Sequence, residues 1–453
     1  MERTWAHDCN LAVSVATTND DASMRAGDFT VRSLGRRSVA TVARTLARAN
    51  GLTVLSGSFE DHWGSTFVGA FPDAQSREIA PPLERATDRR GLNGAAPPPL
   101  WVGQIPYEAL RDIERSSIDD RAPTNMSEPC WKRYPAMIRI DAKSGSASIE
   151  GTREGVDRLG CALLEGIGIS SGNFTLSSNN DPEGEAQHLR AIEHALSLIA
   201  QGDTYQVNLA RQLRFAFSGD PLEAFLALRQ LSPGAYHFFG SSDANAICAN
   251  SPELALARVE SQLVTRPMKG TRARGQSAID DAAIRAELET EPKELAELTM
   301  AVDLHRNDLG RVAAPGSVSL KGPFQIHRSP TVWSRFAEVS ATLRDNVTLT
   351  ALFRAVLPCG SVTGAPKVRA MQVIASLEAH RRGLYTGAYG ALSADGRRVV
   401  LAVAIRTLVV NGSAATYGSG GGIVADSKPL RELDETRWKA SAIQNLASPI
   451  EPR

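Results

Sequence analysis

Residues 384–422 read LYTGAYGALSADGRRVVLAVAIRTLVVNGSAATYGSGGG, and their punctuation sets the expected fold. Asp395-Gly396 and Asn411-Gly412 are tight-hairpin signals, because both dipeptides tolerate the left-handed backbone such turns require. Strand-like text flanks them at 384–393, 397–410 and 413–420, which predicts a three-stranded antiparallel meander. With two-residue loops, the first hairpin sets Tyr385 opposite Arg406 and the second sets Arg406 opposite Tyr417. Along the middle strand Arg406 shares a face with Ala402 and Ala404, while Leu401, Val403 and Ile405 take the other. Small residues beside an arginine flanked by two phenols leave room for an anion. A strand arginine also serves to cap a solvated face, and these residues alone leave that reading open.

Further along, the third strand runs into Gly418-Ser419-Gly420-Gly421-Gly422, and Ser427-Lys428-Pro429 opens a helix. Glycines let backbone N–H groups approach an anion closely, and a helix N-terminus adds a favourable dipole. This is no nucleotide fingerprint, since Ile423 breaks GxGxxG and no GxxxxGK[ST] occurs. The final helix carries Glu432 and Glu435 one turn apart, with Lys439 a turn later. Upstream, Pro292 fits the first turn of a helix continuing through Leu295, Leu298 and Val302, and it carries Glu294 and Glu297 at the same spacing. Two such pairs converging would offer oxygen ligands to Mg²⁺, although paired glutamates equally mark solvated helix faces. Lys269 lies in Thr265-Arg266-Pro267-Met268-Lys269-Gly270-Thr271, after strand-like text. A lysine turns nucleophilic where burial or nearby positive charge disfavours its protonated form, and Arg266, Arg272 and Arg274 are close in sequence. A surface lysine in a basic loop is the alternative.

The 453 residues carry 50 Lys plus Arg against 50 Asp plus Glu, so the net charge is zero and no basic surplus points to nucleic acid. The 42% apolar and 22% charged composition is that of a globular chain. Cys9, Cys130, Cys161, Cys248 and Cys359 are scattered, with no CxxC pair, which argues against a disulfide framework and for a reducing compartment. The start, MERTWAHDCN, lacks a signal-peptide pattern, and no apolar run approaches the ~20 residues that span a bilayer. The expectation is a soluble cytoplasmic protein that engages neither nucleic acid nor membrane. A Pro-rich stretch covers 80–100. A Gly/Ser/Asn-rich segment at 167–185 reads as the best internal boundary, dividing an N-terminal region (1–170) from a C-terminal one (183–450), both expected to pack as one unit.

Together these motifs resemble the chorismate-utilising enzymes: anthranilate synthase component I, aminodeoxychorismate synthase component I, isochorismate synthase and salicylate synthase. The matching text runs through GDTYQVNLAR, SPELAL, RPMKGTRARG, EPKELAELTMAVDLHRNDLGR, GSVTGAPKVRAM, RGLYTGAYG, AIRTL, GGGIVADSKP and ELDETRWK, over most of residues 202–440. GSTFVGAFP and LWVGQIPYEAL are similar to its N-terminal text. The resemblance implies an α+β fold in which two large antiparallel sheets pack face to face, flanked by helices, with the active site between them. It implies chorismate as substrate and Mg²⁺ as cofactor, held through Glu297 and Glu435 with Glu294 and Glu432 near it, binding the ring carboxylate. Gly420, Gly421, Gly422, Gly270, Lys439 and Thr363 would assist in binding substrate. Tyr385 and Arg406 would take the enolpyruvyl carboxylate, and Glu253 would be an acid or base near Lys269.

Two positions divide the family. Its water users usually carry lysine where this chain has Gln206, so the resemblance implies ammonia as nucleophile. Anthranilate synthases usually have alanine at the position of Lys269, whereas aminodeoxychorismate synthases typically have lysine in a PIKGT-like motif similar to PMKGT. The expected activity is therefore aminodeoxychorismate synthase, for p-aminobenzoate and folate synthesis. Lys269 would attack C2 with loss of the C4 hydroxyl, and ammonia at C4 would then expel it. Anthranilate synthase is the nearest alternative. No GxCxG elbow surrounds any cysteine, so ammonia would come from a separate glutamine amidotransferase subunit. Where many relatives have a histidine in a VHHLVS-like segment, this chain has Trp333 and Ser334, which keeps a non-catalytic chorismate-binding scaffold in play. Leu55-Ser56-Gly57-Ser58 resembles a segment that contacts tryptophan in related enzymes, with a regulatory site, a relic and a plain turn all open.

Overall fold

The computed structural model describes residues 29–84, 98, 100–111, 126–166, 172–178, 181–231, 236–242, 245–322, 324–328 and 332–449. Cys9, most of the Pro-rich stretch and residues 167–171 lie outside them. Among the described residues, thirteen strands form one sheet, nine a second and three a small third. Neighbours pair antiparallel throughout, except that Ser448–Pro449 runs parallel to Phe174–Ser178. Strands from both halves of the chain share each large sheet: Thr53–Gly57 pairs with Tyr236–Ser242 in one, and Leu100–Ile105 with Ala388–Ser393 in the other. No described helix is long and apolar enough to cross a membrane.

The core between the sheets is aromatic. Phe238 and Tyr389 stack at 5.2 Å, and Phe59 meets Tyr236 edge-on at the same separation. Ala402 and Ala404 belong to this inner cluster, whereas Leu401 and Val403 face the outer one with Leu298, Val302 and Phe353. The period-two partition expected from sequence thus holds through Ala404. Each fully buried Leu or Phe contributes roughly 1.5–3 kcal/mol, so these clusters dominate the drive to fold.

Two features of the meander differ from expectation. The first hairpin has the expected register, Ala388 opposite Val403 and Leu392 opposite Val399, but the ladder ends there and Tyr385 lies outside it. The run 397–410 is two strands. Arg398–Val403 stays in the nine-stranded sheet, and after a break at 404–406 Thr407–Asn411 enters the thirteen-stranded one. Arg406 makes the turn with φ of 50°, a left-handed conformation that ends any ladder. The second hairpin is displaced: Leu408, not Arg406, faces Tyr417, and Asn411 pairs with Ala414. Its turn centres on Gly412 and Ser413, and only Gly412 has positive φ. One positive φ at the first central residue suits a Gly-first turn, where the expected Asn-Gly turn needs two.

The glycine-rich text is also a strand rather than a loop, since Ala414–Ile423 pairs along its whole length with Gln206–Gly219. Within the Gly/Ser-rich segment, Phe174–Ser178 is a strand paired to Gln206–Gly219 on one side and Ser448–Pro449 on the other, and the following helix begins at Pro182, where Asp181 accepts a hydrogen bond from Gly184 N–H.

Tyr389 ties the sheets, its hydroxyl donating to Tyr236 C=O at 2.7 Å and accepting from Ser251 N–H at 3.1 Å. Tyr389→Phe is expected to lower unfolding free energy by about 1–3 kcal/mol through the orphaned polar groups. Tyr389→Ala should cost about 3–5 kcal/mol through the cavity it leaves. Urea denaturation checks both, and an unchanged unfolding free energy in Tyr389→Phe would exclude a role for the hydroxyl.

Candidate functional site

A cavity of about 530 Å³, within the roughly 300–1,000 Å³ typical of ligand sites, lies where the two large sheets and the small one meet. Its floor is the end of Ala414–Ile423. That strand has a partner on both edges only as far as Tyr417; beyond it, the edge away from Gln206–Gly219 is open. Lys439 Nζ donates to Gly420 C=O at 2.9 Å across this open edge. A strand residue points its N–H and C=O to the same edge, so the Gly420 N–H faces the same way.

One end of the cavity is rich in charge. The helix Pro292–Gly310 brings Glu294 and Glu297, and the helix Pro429–Leu446 brings Glu432 and Glu435, so the two carboxylate pairs do converge. Cations answer them: Arg272 Nη1 lies 2.5 Å from Glu294 Oε1, Lys269 Nζ 3.7 Å from Glu297 and Lys439 Nζ 2.7 Å from Glu435. Glu294 Oε2 is buried and accepts no hydrogen bond. Among the described residues, no three carboxylate, imidazole or thiol groups stand in ready metal-binding geometry. The donor chemistry nevertheless fits a hard divalent cation, with four carboxylates and an orphaned oxygen at one end of one cavity.

Lys269 projects from the small sheet, in the strand Met268–Ala273, with its side chain 16% exposed. A Cβ at Gly422 would stand 3.3 Å from Lys269 Nζ and 3.0 Å from Gln206 Nε2, so both side chains reach the same point on the floor. Gly270, at φ of 81°, lies against Glu294, and any side chain there would strike its carboxylate. Gly421 lies against Glu432 and Glu435, while Gly420 and Gly422 line the cavity itself. Glu253 is 4% exposed and accepts a hydrogen bond from Ser361 Oγ at 2.6 Å. Burial raises its pKa to about 7, against the lowering effect of Ser361, Lys269 and Lys439.

The other end holds Arg406, Tyr417 and Tyr385, brought together by the sheet-to-sheet crossing rather than by the expected cross-strand pairing. Among the described residues the Arg406 guanidinium makes no ion pair. Burial disfavours its charge, and Tyr417 beside it partly restores it. Burial pushes the Tyr417 phenol up to about 12, and the Tyr385 phenol well above its ordinary value, so both remain neutral, and the Tyr417 hydroxyl donates to Lys439 C=O at 3.4 Å. An unpaired, partly buried cation with neutral phenols beside it fits a carboxylate.

Thr363 is displaced from the site. It is fully buried, its hydroxyl donates to Cys359 C=O at 2.9 Å, and Ser361 and Val362 of the same motif line the cavity instead. Asn208, also not singled out in sequence, lines the cavity with its Oδ1 unpartnered; it lies two residues from Gln206, the spacing of one strand face. Lys367 is structural, paired with buried Asp308 at 2.6 Å. Trp333 donates to Asp281 at 2.9 Å and packs against Arg274, away from the cavity. Ser334 is buried opposite Thr271, which does line it. Ser56 is fully buried and accepts from Arg229 Nε at 3.1 Å.

Residues 54–445 match the family described as chorismate binding enzyme. Anthranilate synthase component 1 of Aquifex aeolicus is 40% identical over 252 residues, which span 56% of this chain and 51% of that relative. Anthranilate synthase component 1 of Acinetobacter calcoaceticus is 37% identical over 392 residues, 82% of this chain and 78% of the relative. In fold, the chain is similar to MenF, the menaquinone-specific isochorismate synthase of Escherichia coli, with a TM-score of 0.73 at 18% identity, covering 97% of each chain. A matched region of this extent, on a cavity built from the family's own motifs, makes the chain a member of the chorismate binding enzyme family.

Proposed function

We propose that the chain aminates chorismate with ammonia as the large component of an anthranilate synthase. The observation that carries this reading is the similarity to proteins named anthranilate synthase component 1 over up to 82% of the chain. It reverses the order that Lys269 alone suggested, which put aminodeoxychorismate first. Gln206 at the cavity floor supports ammonia over water, since this position lacks the lysine base expected of the water users. Chorismate carries two carboxylates, and the cavity offers two matching ends. The ring carboxylate lies at the glutamate-rich end, and the enolpyruvyl carboxylate takes Arg406, with Tyr385 donating.

Glu297 and Glu435, with Glu294 and Glu432 near them, would hold Mg²⁺, which supplies Lewis-acid neutralisation of a bound carboxylate. Lys439 and the Gly420 N–H steady that end. Glu253, protonated below about pH 7, would give a proton to the departing hydroxyl. Cys248 and Cys359 are buried, and burial pushes both thiols up, away from nucleophilic use. That supports a separate amidotransferase as the ammonia source.

One observation favours amination at C4 instead: Lys269 Nζ and Gln206 Nε2 converge on Gly422, where a lysine could attack the ring before ammonia does. Product analysis with chorismate, Mg²⁺ and ammonium decides between them. The first reading expects anthranilate, unaffected in kind by Lys269→Ala. Aminodeoxychorismate from the native chain, lost or diverted to C2 in Lys269→Ala, would replace it with the second. No turnover despite chorismate binding would leave only a scaffold.

Two further outcomes follow. Glu435→Gln should raise the Mg²⁺ concentration for half-maximal activity at least about tenfold, and an unchanged value would remove Glu435 from the metal site. If Glu253 is the acid, kcat falls as pH rises through about 7, because the carboxyl then loses its proton. Glu253→Gln should flatten that limb and lower kcat about 10²–10⁴-fold; an alkaline limb surviving in the variant would assign it to another group.

A further inference from the structure

A second cavity, of about 230 Å³, lies beside the first. Alternation along Ala414–Ile423 puts Ala414, Thr416, Gly418, Gly420 and Gly422 on one face. Ala414 and Thr416 line the second cavity, Gly420 and Gly422 line the catalytic one, and Gly418 lines both. The neighbouring strand repeats the order: Gln212, opposite Gly418, and Ala210, opposite Gly420, belong to the second cavity, and Asn208, opposite Gly422, to the first. The two cavities are therefore consecutive stretches of one trough floored by small residues.

What divides them is a side chain. Tyr385 lines both, and its ring lies across Gly418 so closely that a Cβ at 418 would overlap the ring carbons. Glycine at 418 is what lets the ring lie there. The ring is held from behind by the buried Arg382 guanidinium, 5.7 Å from its centroid. The turn that carries the ring is fixed at the next residue, Thr386, whose φ of 61° is rare for a β-branched residue, and whose N–H donates to Ala404 C=O at 2.8 Å.

We propose that the Tyr385 ring is a specificity-determining partition: it sets how long a substituent the substrate can carry beyond the carboxylate bound by Arg406. The cavity behind the ring is space that a longer substituent enters once the ring is shortened. This rests on the reading above, in which the ether-linked carboxylate of a ring dicarboxylate lies at the Arg406 end.

The test uses the full chain and inert probes, meta-carboxyalkoxybenzoates, which carry a ring carboxylate and an ether-linked carboxylate and bear either methyl or benzyl beside the latter. Affinities are measured by calorimetry with chorismate as competitor. The native chain should prefer the methyl probe. Tyr385→Ala should raise the benzyl-to-methyl affinity ratio at least about tenfold, the scale of discrimination by a pocket wall. Thr416→Trp added to that variant refills the second cavity and should cancel the gain, a readout that general damage would not produce. Tyr385→Leu carries the same test if the alanine variant does not fold, since residue 385 is only partly buried. A ratio unchanged within about twofold in the folded variant, or a gain that survives Thr416→Trp, overturns the partition. If chorismate fails to displace the methyl probe from the native chain, the chorismate reading falls and the partition with it. If chorismate displaces it and the ratio stays flat, the partition alone falls.

Discussion

The catalytic cavity is organised around one buried cation that never reaches it. Arg382 spends its guanidinium on five partners: both oxygens of Glu378, the hydroxyl of Thr386, and the carbonyls of Asn208 and Val362. Glu378 in turn accepts from the Ala210 N–H at 2.9 Å. Asn208, Val362 and Thr386 belong to three different walls, so the strand under the site, the GSVTGAPK segment and the Tyr385 turn are fixed relative to one another. A buried ion pair costs heavily to desolvate and is a poor source of net stability, but removing one partner from it typically costs 3–5 kcal/mol. Its contribution here is geometric: fully satisfied, it permits only one arrangement of the walls.

Around that anchor the backbone adopts two conformations that an unconstrained chain avoids. Thr386 and Arg406 both have positive φ; Arg406 turns the chain from one sheet to the other, and Thr386 N–H bonds Ala404 C=O at the start of that crossing. Left-handed backbone costs a non-glycine residue about 1–2 kcal/mol. The cost at Arg406 is offset by the Asn250 N–H, which binds its carbonyl at 3.1 Å, and the conformation aims the side chain between the sheets, where it meets Tyr417. A regular strand would have placed Arg406 on an ordinary face with cross-strand neighbours. The strained turn gives it a cavity instead.

That contrast explains what could be read in the sequence. Local spacing encodes local geometry, so the two glutamate pairs, the partition of Ala402 and Ala404 from Leu401 and Val403, and the first hairpin register were all legible. The crossing at Arg406 was not, because residues 397–410 alternate without a break and nothing in that text marks the change of sheet. Convergence of Arg406 with Tyr385 and Tyr417 was anticipated for a reason that does not hold, the cross-strand ladder. Arg382 escaped notice because its role is written in contacts 20 and 174 residues away, at Val362 and Asn208. Thr363 misled for the opposite reason: the motif is correct, but a turn of 3-10 helix at 360–362 presents Ser361 to the cavity and buries the threonine.

The same geometry shows why the walls leave the position of amination open. Both readings need a dianionic ring held between a glutamate-rich end and Arg406, over a floor too small to crowd it, and both use an acid that keeps its proton near neutrality. They differ in which ring carbon meets nitrogen first, and neighbouring ring carbons are closer together than the two ends of the cavity. Placement at that scale is set by the groups that touch the ring, not by the anchors that hold its carboxylates. In the proposed complex those groups would be Lys269 and Gln206, which meet over Gly422 where the floor has no side chain of its own. A lysine paired to Glu297 serves to balance the glutamates in one reading and attacks in the other, with the fold unchanged. Overall similarity averages over the whole fold and so speaks for the family; the choice of carbon rests on that single contact.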